Sequence, residues 1–569
     1  MKRIKDPIYG YIYIPKEIVK SIIDTAEFQR LRYIRQTSYL PVYPSALHNR
    51  FTHSLGVYYL GEIAFESVAD AYIKLEINAD IDIDRVKKVF TLSCLLHDIG
   101  HAPFSHSGEA FYLNKPDSLD KPLEELVNDE VFTREMREYH VKAQNAAPHE
   151  IMSVILSLSQ FGNTFKNSEE RSLFARCITG YKYTNTNNDI KLSFYNAIIS
   201  LLNSSTIDVD RLDYLIRDAF VMGYNSISID YLRLLKGLLL IKDENGCINL
   251  AFNKSALSVI ENVIYAHDAE KKWIQNHPVI LYETFLIQSI IREVNDFYYT
   301  SSGQNLFSLN SLLPNKEKQQ ITEIGELFDK IINGLPDKTM YSTEIDTIHQ
   351  FFEKNMTLHY VNLLCDDDII FLSKAVDSRF CKELYNRNLR RSPIWKSESE
   401  YKVFLDGFVG DDAFPTLQNQ INTVVKFLED ESPSHCLDAR SLKFCEEKME
   451  ELKESNLEEQ DYNDMKQRYE LLQNWLKCFE RIHSDQKIDF DFIIISATKF
   501  KSSFNEGDLR KLLVYFPTSK KAYPLEKLIN LFSSKKNLRE KYFYIYYRKN
   551  ENCQLDVEKI GREIAKLVL

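Results

Sequence analysis

The sequence contains no run of about 18 apolar residues, so no transmembrane helix is expected. The opening MKRIKDPIYGYIYIPKEIVKS is basic but has no apolar stretch of the signal-peptide kind. None of the nine cysteines forms C-x-x-C, and their scatter reads as reduced core thiols in a cytoplasmic protein. There is no excess of positive charge: 71 Lys and Arg face 82 Asp and Glu, a net of −11. That balance argues against strong nucleic-acid binding and leaves room only for a local basic pocket. Internal repeats and low-complexity linkers are missing too. What is present is ordinary globular composition, 44% hydrophobic and 27% charged. At 569 residues the chain exceeds what one core needs, so two to four substructures are expected.

The histidines are unevenly placed. Seven of thirteen fall within residues 48–149, and three of these lie in SCLLHDIGHAPFSHSG, Ser93 to Gly108. This stretch holds His97, Asp98, His101 and His106. Its lead-in, Leu92 to Leu96, is nearly all apolar, which places the His-Asp pair at the end of a buried helix. Two buried polar, metal-competent side chains are costly unless something compensates them, and a cation does so economically. His97 and His101 are four apart and are expected on one helical face, with Pro103 ending the helix and re-aiming His106.

Other segments frame this one. Residues 4–14 alternate aromatic and β-branched residues, as a strand or hairpin arm does. Two short helices divided near Asp24 follow. By local pattern Asp24 with Glu27 fits a cap, and Arg32 a surface charge. A helix runs on from Phe51 with His53 at its start, where a histidine is either core or ligand. Arg50, three residues earlier, favours a site that binds something anionic. The charged residues 114–140 read as the rim of a pocket, and Pro148 opens a helix carrying His149-Glu150. From Asp208, helical spacing puts Asp210, Tyr214, Arg217 and Asp218 opposite Leu212, Leu215, Ile216 and Ala219. That polar face is either solvated or the wall of a site, and its apolar flanks favour the second. His267-Asp268 has no clustered histidines near it and is not read as a metal centre. Residues 316–395 read as several helices and 446–482 as a helical hairpin. The last 80 residues carry the strand-like DFDFIIISA, KLLVYFP and KYFYIYYRK.

His53, His97-Asp98 and Asp210 in that order resemble the H…HD…D signature of the HD-domain metal phosphohydrolases. DPIYGYI, IDTAEFQRLRYIRQ, HNRFTHSLGV, HDIGHAPFSH and DVDRLDYLIRDA are similar to segments of the deoxynucleoside triphosphate (dNTP) triphosphohydrolases of the sterile-alpha-motif/HD type and their bacterial relatives. The resemblance covers residues 1–300, without a preceding sterile-alpha-motif domain. It implies a mainly α fold with an HD-domain helical core, to which the strand-like pattern of the last 80 residues adds a small C-terminal α+β subdomain. The expected divisions are a core with an N-terminal allosteric segment at 1–300, a helical extension at 301–395, a charged helical insert at 396–485 and the α+β subdomain at 486–569.

Residue by residue, the resemblance implies that His53, His97, Asp98 and Asp210 hold one divalent transition metal (Mn, Fe, Ni or Zn), with Mg arriving on the substrate triphosphate. His101, His106 and His149 would line the scissile bond, with His106 the preferred general acid. Arg50 and Arg211 would grip phosphates, Gln36 and Asp218 would recognise the sugar 3′-hydroxyl, and Tyr214 would pack on the deoxyribose. Asp24, Gln29 and Arg32 match residues that recognise guanine at an allosteric site. The implied partners are a dNTP substrate, a GTP or dNTP activator and further copies of the chain in a dimer or tetramer. The chain departs from the family at Trp273-Ile274, where Ile274 replaces a Tyr, and at Ala266, which replaces an Arg. Two other readings are carried: an HD nucleotidase or phosphodiesterase on other nucleotides, and a nucleotide-sensing scaffold with a partner, with roles in dNTP control or anti-phage defence in view.

Overall fold

The computed structural model describes the chain apart from residues 76–80, 110–116, 303–363, 402–406, 499–505, 517–520, 529–540, 549–554 and a few single or paired positions. The expectation of several helices over 316–395 therefore lies largely outside the described residues. The chain divides into two compact units. One comprises Met1–Glu270, Ile287–Ser378 and Ser502–Ser533; the other comprises Lys271–Leu286, Arg379–Lys501 and Ser534–Leu569.

The first unit opens with the expected hairpin, β1 (Lys2–Asp6) and β2 (Gly10–Ile14), paired antiparallel with Ile4 opposite Ile12. Among its helices are α1 (Arg50–Lys74), α2 (Ile83–Leu96), α3 (Pro148–Phe161), α4 (Ser168–Thr179), α5 (Ile190–Leu202) and α6 (Val209–Met222). Local chemistry fixes most of their starts. The side chains of Asn49, Asp82, Asn167, Asp189 and Asp208 each accept a backbone N–H in the first turn of α1, α2, α4, α5 and α6. Pro148 begins α3, where its missing N–H costs nothing, and Glu150 reaches back to the Ala147 N–H. Asp24 ends the helical turn Val19–Ile23 and is not the N-cap of the next helix, Ala26–Gln29, which follows Thr25 without a side-chain cap; its carboxylate lies 3.6 Å from the Lys2 ammonium.

A four-stranded sheet completes this unit. β3 (Leu238–Lys242) and β4 (Ile248–Asn253) are antiparallel, β4 pairs in parallel with Leu513–Phe516, and that strand pairs with Lys521–Pro524. The strand-like C-terminal segments thus divide between two sheets. The second unit has its own sheet, ordered Ser392–Pro393, Lys541–Tyr547, Asp491–Thr498, Leu437–Asp438, all antiparallel. The expected helical hairpin is present there as Ala439–Lys453 and Glu459–Gln486, with Trp475, Leu476 and Phe479 buried. The described cysteines are free thiols. No described helix is long and apolar enough to cross a membrane.

Candidate metal centre and active site

The core of the site lies where α1, α2 and α6 present polar side chains to one another. His53 is in the second turn of α1, His97 follows the last residue of α2, and Asp210 is in the first turn of α6. His53 Nε2, His97 Nε2 and a carboxylate oxygen of Asp210 lie within 4.8 Å of one another. His53 Nε2 is 2.9 Å and His97 Nε2 3.5 Å from Asp210 Oδ1. Asp98 adds Oδ2 at 3.5 Å from His53 Nε2 and Oδ1 at 3.3 Å from His97 Nε2. The four residues expected to share a cation stand together.

The donor chemistry fits a cation. His97 Nδ1 lies 2.9 Å from the carbonyl oxygen of Cys94, which can only accept, so Nδ1 carries the hydrogen and Nε2 turns a lone pair inward. His53 Nδ1 is 2.7 Å from Asp213 Oδ2, with the same consequence. The two Nε2 atoms then face each other at 3.3 Å beside two carboxylates, an arrangement of acceptors that needs positive charge between them. That positive charge is a proton or a metal ion: against burial, Asp210, Asp213 and Asp98 push the His53 imidazole up to about 10, so without a cation Nε2 itself carries a hydrogen toward Asp210, and a bound metal would displace it. Burial would likewise raise Asp98, but Arg50, His97 and His101 hold it well below the usual carboxylate range. Two imidazoles and two carboxylates suit Mn, Fe, Ni or Zn.

A second cluster adjoins the first. His101, His106 and His149 place Nδ1 at 3.2, 2.8 and 3.0 Å from one oxygen of Glu109, and the rings of His101 and His149 stack with centroids 4.1 Å apart. His101 Nε2 lies 3.1 Å from Asp98 Oδ1, so this ring links the two clusters. Burial, then Arg50 and His149, lower His101 to about 4. Burial would lower His149 as well, but Glu109 raises it above the ordinary histidine value. His106 is the exposed member, its side chain 69% accessible.

The turn between the clusters differs from expectation. α2 stops at Leu96 and His97–Gly100 form turns, so His97 and His101 do not share a helical face. The reason is competition for backbone partners. The Gly100 N–H donates to Ser153 Oγ of α3, and the Arg30 guanidinium donates to the carbonyls of Ile99 and His101. Beyond Pro103, Phe104 and Ser105 both take left-handed backbone (φ 58° and 54°), which costs each about 1–2 kcal/mol. Asp366 holds that turn, accepting the Phe104 N–H at 2.6 Å and the Arg35 N–H at 3.0 Å.

The remaining expected residues fall into two groups. Arg50 donates to Asp98 Oδ2 at 2.8 Å and to Ser105 Oγ at 2.9 Å, at the junction of the clusters. Segment 34–36 pairs with 48–50: Arg50 N–H donates to the Ile34 carbonyl and Gln36 N–H to the His48 carbonyl. His48 Nε2 lies 2.7 Å from Asp218 Oδ1, so the side chain of His48 groups with the buried Gln36 and Asp218. On α6, Arg211 interacts with Asp208 and with the Tyr214 hydroxyl. Asp24, Gln29 and Arg32 stand nearer the surface. The Gln29 amide donates to the Ile23 carbonyl and accepts from Arg32 Nε at 2.7 Å, and the Arg32 guanidinium lies 3.6 Å from the centre of the Phe51 ring. At the departures, Ala266 and Ile274 are buried, whereas Trp273 is exposed beneath the Lys272 ammonium. His267 and Asp268 join neither cluster.

Sequence reasoning missed Glu109, Asp213, His48 and Asp366. Glu109 carries a usable signal, three residues after His106 and so on its helical face. Asp366 carries none, since it acts on a turn more than 260 residues away.

Residues 50–178 match the HD domain family. An uncharacterised protein of Methanocaldococcus jannaschii is 26% identical over 464 residues, 81% of this chain and 82% of that one. The deoxynucleoside triphosphate triphosphohydrolase SAMHD1 of Homo sapiens is 27% identical over 355 residues, 60% of this chain and 51% of that enzyme. The chain spans about half the length of most curated relatives it matches. Among solved structures, a phosphohydrolase of Bacteroides thetaiotaomicron superposes with a TM-score of 0.51 at 18% identity, over 96% of this chain and 100% of that one, a likeness of fold. The chain thus carries an HD-domain match over residues 50–178 and is similar, over about 60% of its length, to the SAMHD1 deoxynucleoside triphosphate triphosphohydrolases.

Proposed function

We propose that the protein hydrolyses dNTPs to deoxynucleoside and inorganic triphosphate, as a nucleotide-activated homo-oligomer of the cytoplasm. The observation that carries this reading is the adjacency of two clusters: His53, His97, Asp98 and Asp210 beside three histidines around Glu109. His53, His97, Asp98 and Asp210 would hold a divalent transition metal, which would supply Lewis acidity toward water and a phosphoryl oxygen. Water would attack the α-phosphorus and lose a proton, the bond to the 5′ oxygen would break, and that oxygen would leave with a proton from the protein, which the proton lost by water restores.

His106 is suited to give that proton. Glu109 lies against its Nδ1, which leaves Nε2 of an exposed ring free to face the leaving group. His101, kept neutral at pH 7 by burial, would hold Asp98 and Glu109 in place beside the scissile bond without adding charge. Arg50 and Arg211 offset negative charge as it grows on the phosphoryl oxygens. Gln36 and Asp218, which both contact His48, would hold the 3′-hydroxyl, with Tyr214 against the sugar. Asp24, Gln29 and Arg32 would take the activating nucleotide, GTP or a dNTP.

The test is product analysis with Mn²⁺ and each dNTP and NTP, alone and mixed. Intact triphosphate released from dNTPs is the expected product. Release of orthophosphate or pyrophosphate, or turnover of monophosphates and cyclic nucleotides alone, would instead make the site a nucleotidase or phosphodiesterase.

A further inference from the structure

A line of buried charge runs from the N-terminal hairpin to His53. Asp6 closes β1, and its Oδ1 accepts the N–H groups of Ile8 and Tyr9 at 2.8 and 3.0 Å, forming the hairpin turn. Its other oxygen accepts from Arg217 Nη1 at 3.0 Å. The remaining edge of the Arg217 guanidinium grips Asp213 through both oxygens, Nε to Oδ2 at 2.9 Å and Nη2 to Oδ1 at 3.0 Å. Asp213 Oδ2 then lies 2.7 Å from His53 Nδ1. Asp6, Arg217, Asp213 and His53 are all buried, so little solvent screens one from the next. The helix facing them is shaped for the pair: a Cβ on Gly56 of α1 would come within 1.8 Å of Asp213 Oδ1 and 2.5 Å of Arg217 Nη2.

We propose that Asp6 and Arg217 are positioning residues that set the metal affinity of His53 through Asp213, making the N-terminal hairpin part of the metal centre. This rests on the reading of His53 as a ligand. The physical argument is charge balance. Asp213 strengthens His53 Nε2 as a donor by drawing on the hydrogen at Nδ1, as outer carboxylates do for metal-bound histidines. Arg217 fixes the direction of that carboxylate with a two-pronged grip but also competes for its charge. Asp6 shares the Arg217 charge and so leaves more of Asp213 to His53. Neutralising Asp6 shifts the whole guanidinium charge onto Asp213, and the pull on His53 weakens.

The experiment measures Mn²⁺ affinity by titration, and bound metal by elemental analysis, on the full chain as wild type, Asp6→Asn, Arg217→Lys and Glu135→Gln. Asparagine at position 6 keeps an acceptor for the hairpin turn while losing the charge. Lysine at 217 keeps the charge while losing the fork. Glu135→Gln breaks an equally buried pair, Glu135 with Arg176 at 2.7 Å, that touches none of the relay. The expected result is Mn²⁺ affinity about tenfold weaker in Asp6→Asn and Arg217→Lys, and unchanged in Glu135→Gln although its unfolding temperature falls. Wild-type affinity in a folded Asp6→Asn overturns the proposal, whether or not Arg217→Lys folds. Equal weakening in Glu135→Gln overturns it too, by reducing the effect to general destabilisation. A wild-type chain that binds no Mn²⁺ would overturn the metal reading itself and the relay with it.

Discussion

His106 is the one histidine of its cluster that projects into solvent, and its Nδ1 rests on Glu109. Removing its ring takes away a proton donor without disturbing the ligands of the metal. His106→Ala is therefore expected to keep bound metal and lose turnover by roughly 10²–10⁴-fold, measured by product release at saturating dNTP. An unchanged rate would pass the role to His101 or His149. Arg32 belongs to a different function. It packs on Phe51 and holds Gln29, away from the ligands, so Arg32→Ala should blunt activation by GTP or dNTP while metal content stays the same. Undiminished activation would remove the allosteric site. At this scale the sequence was informative because ligands and general acids are rare residue types in a short span. Glu109 and Asp213 escaped notice because carboxylates in charged helices are common, and only their three-dimensional neighbours distinguish them.

Between elements, the decisive feature is the close approach of the His97–Gly100 turn to α3. A Cβ on Gly100 would meet the Ser153 nitrogen at 2.3 Å and the Met152 carbonyl carbon at 2.6 Å, both backbone. Neither can swing aside. Gly100→Ala should cost about 1–3 kcal/mol in urea unfolding, and lower turnover further by separating His101 on the turn from His149 on α3. Wild-type activity in that variant would mean the turn is free to move. The hairpin, the helices running from Phe51 and from Asp208 and the start of α3 at Pro148 were all legible from local patterns, whereas the cap read at Asp24 was not borne out. The turn was not, since four-residue spacing of His97 and His101 suits a helix equally well. Its shape comes from Ser153, Arg30 and Asp366, which are remote in sequence and leave no periodic mark.

For the molecule as a whole, a helical core and strand-rich C-terminal segments were readable. The pairing of Leu513–Phe516 with β4 was not, because strand partners some 260 residues apart carry no local signal. The second unit has a buried ionic group of its own: Asp491 accepts from Arg391 Nη2 and Arg548 Nε, each at 2.6 Å, and from Arg379 Nη1 at 2.9 Å. Burial alone would raise the Asp491 carboxyl, but Arg391, Arg379 and Arg548 hold it below the usual range. With the folded value below the unfolded one, the ionised group stabilises the fold above about pH 4 and that stability is lost as pH falls through the folded value. Asp491→Asn should lower stability at pH 7 by roughly 3 kcal/mol and flatten the acid limb of a stability–pH curve. An acid limb identical to wild type would place the acid sensitivity in other carboxylates.

All of the proposed chemistry depends on α1, the end of α2 and α6 delivering four side chains to one cation. Metal content and dNTP turnover measured on the same preparations of wild type and of a His97→Ala, Asp98→Ala double variant test this most directly. The account predicts about one transition-metal ion per wild-type chain, and loss of both metal and triphosphate release in a variant that remains folded. A folded double variant that retained its metal and its turnover would place the centre elsewhere.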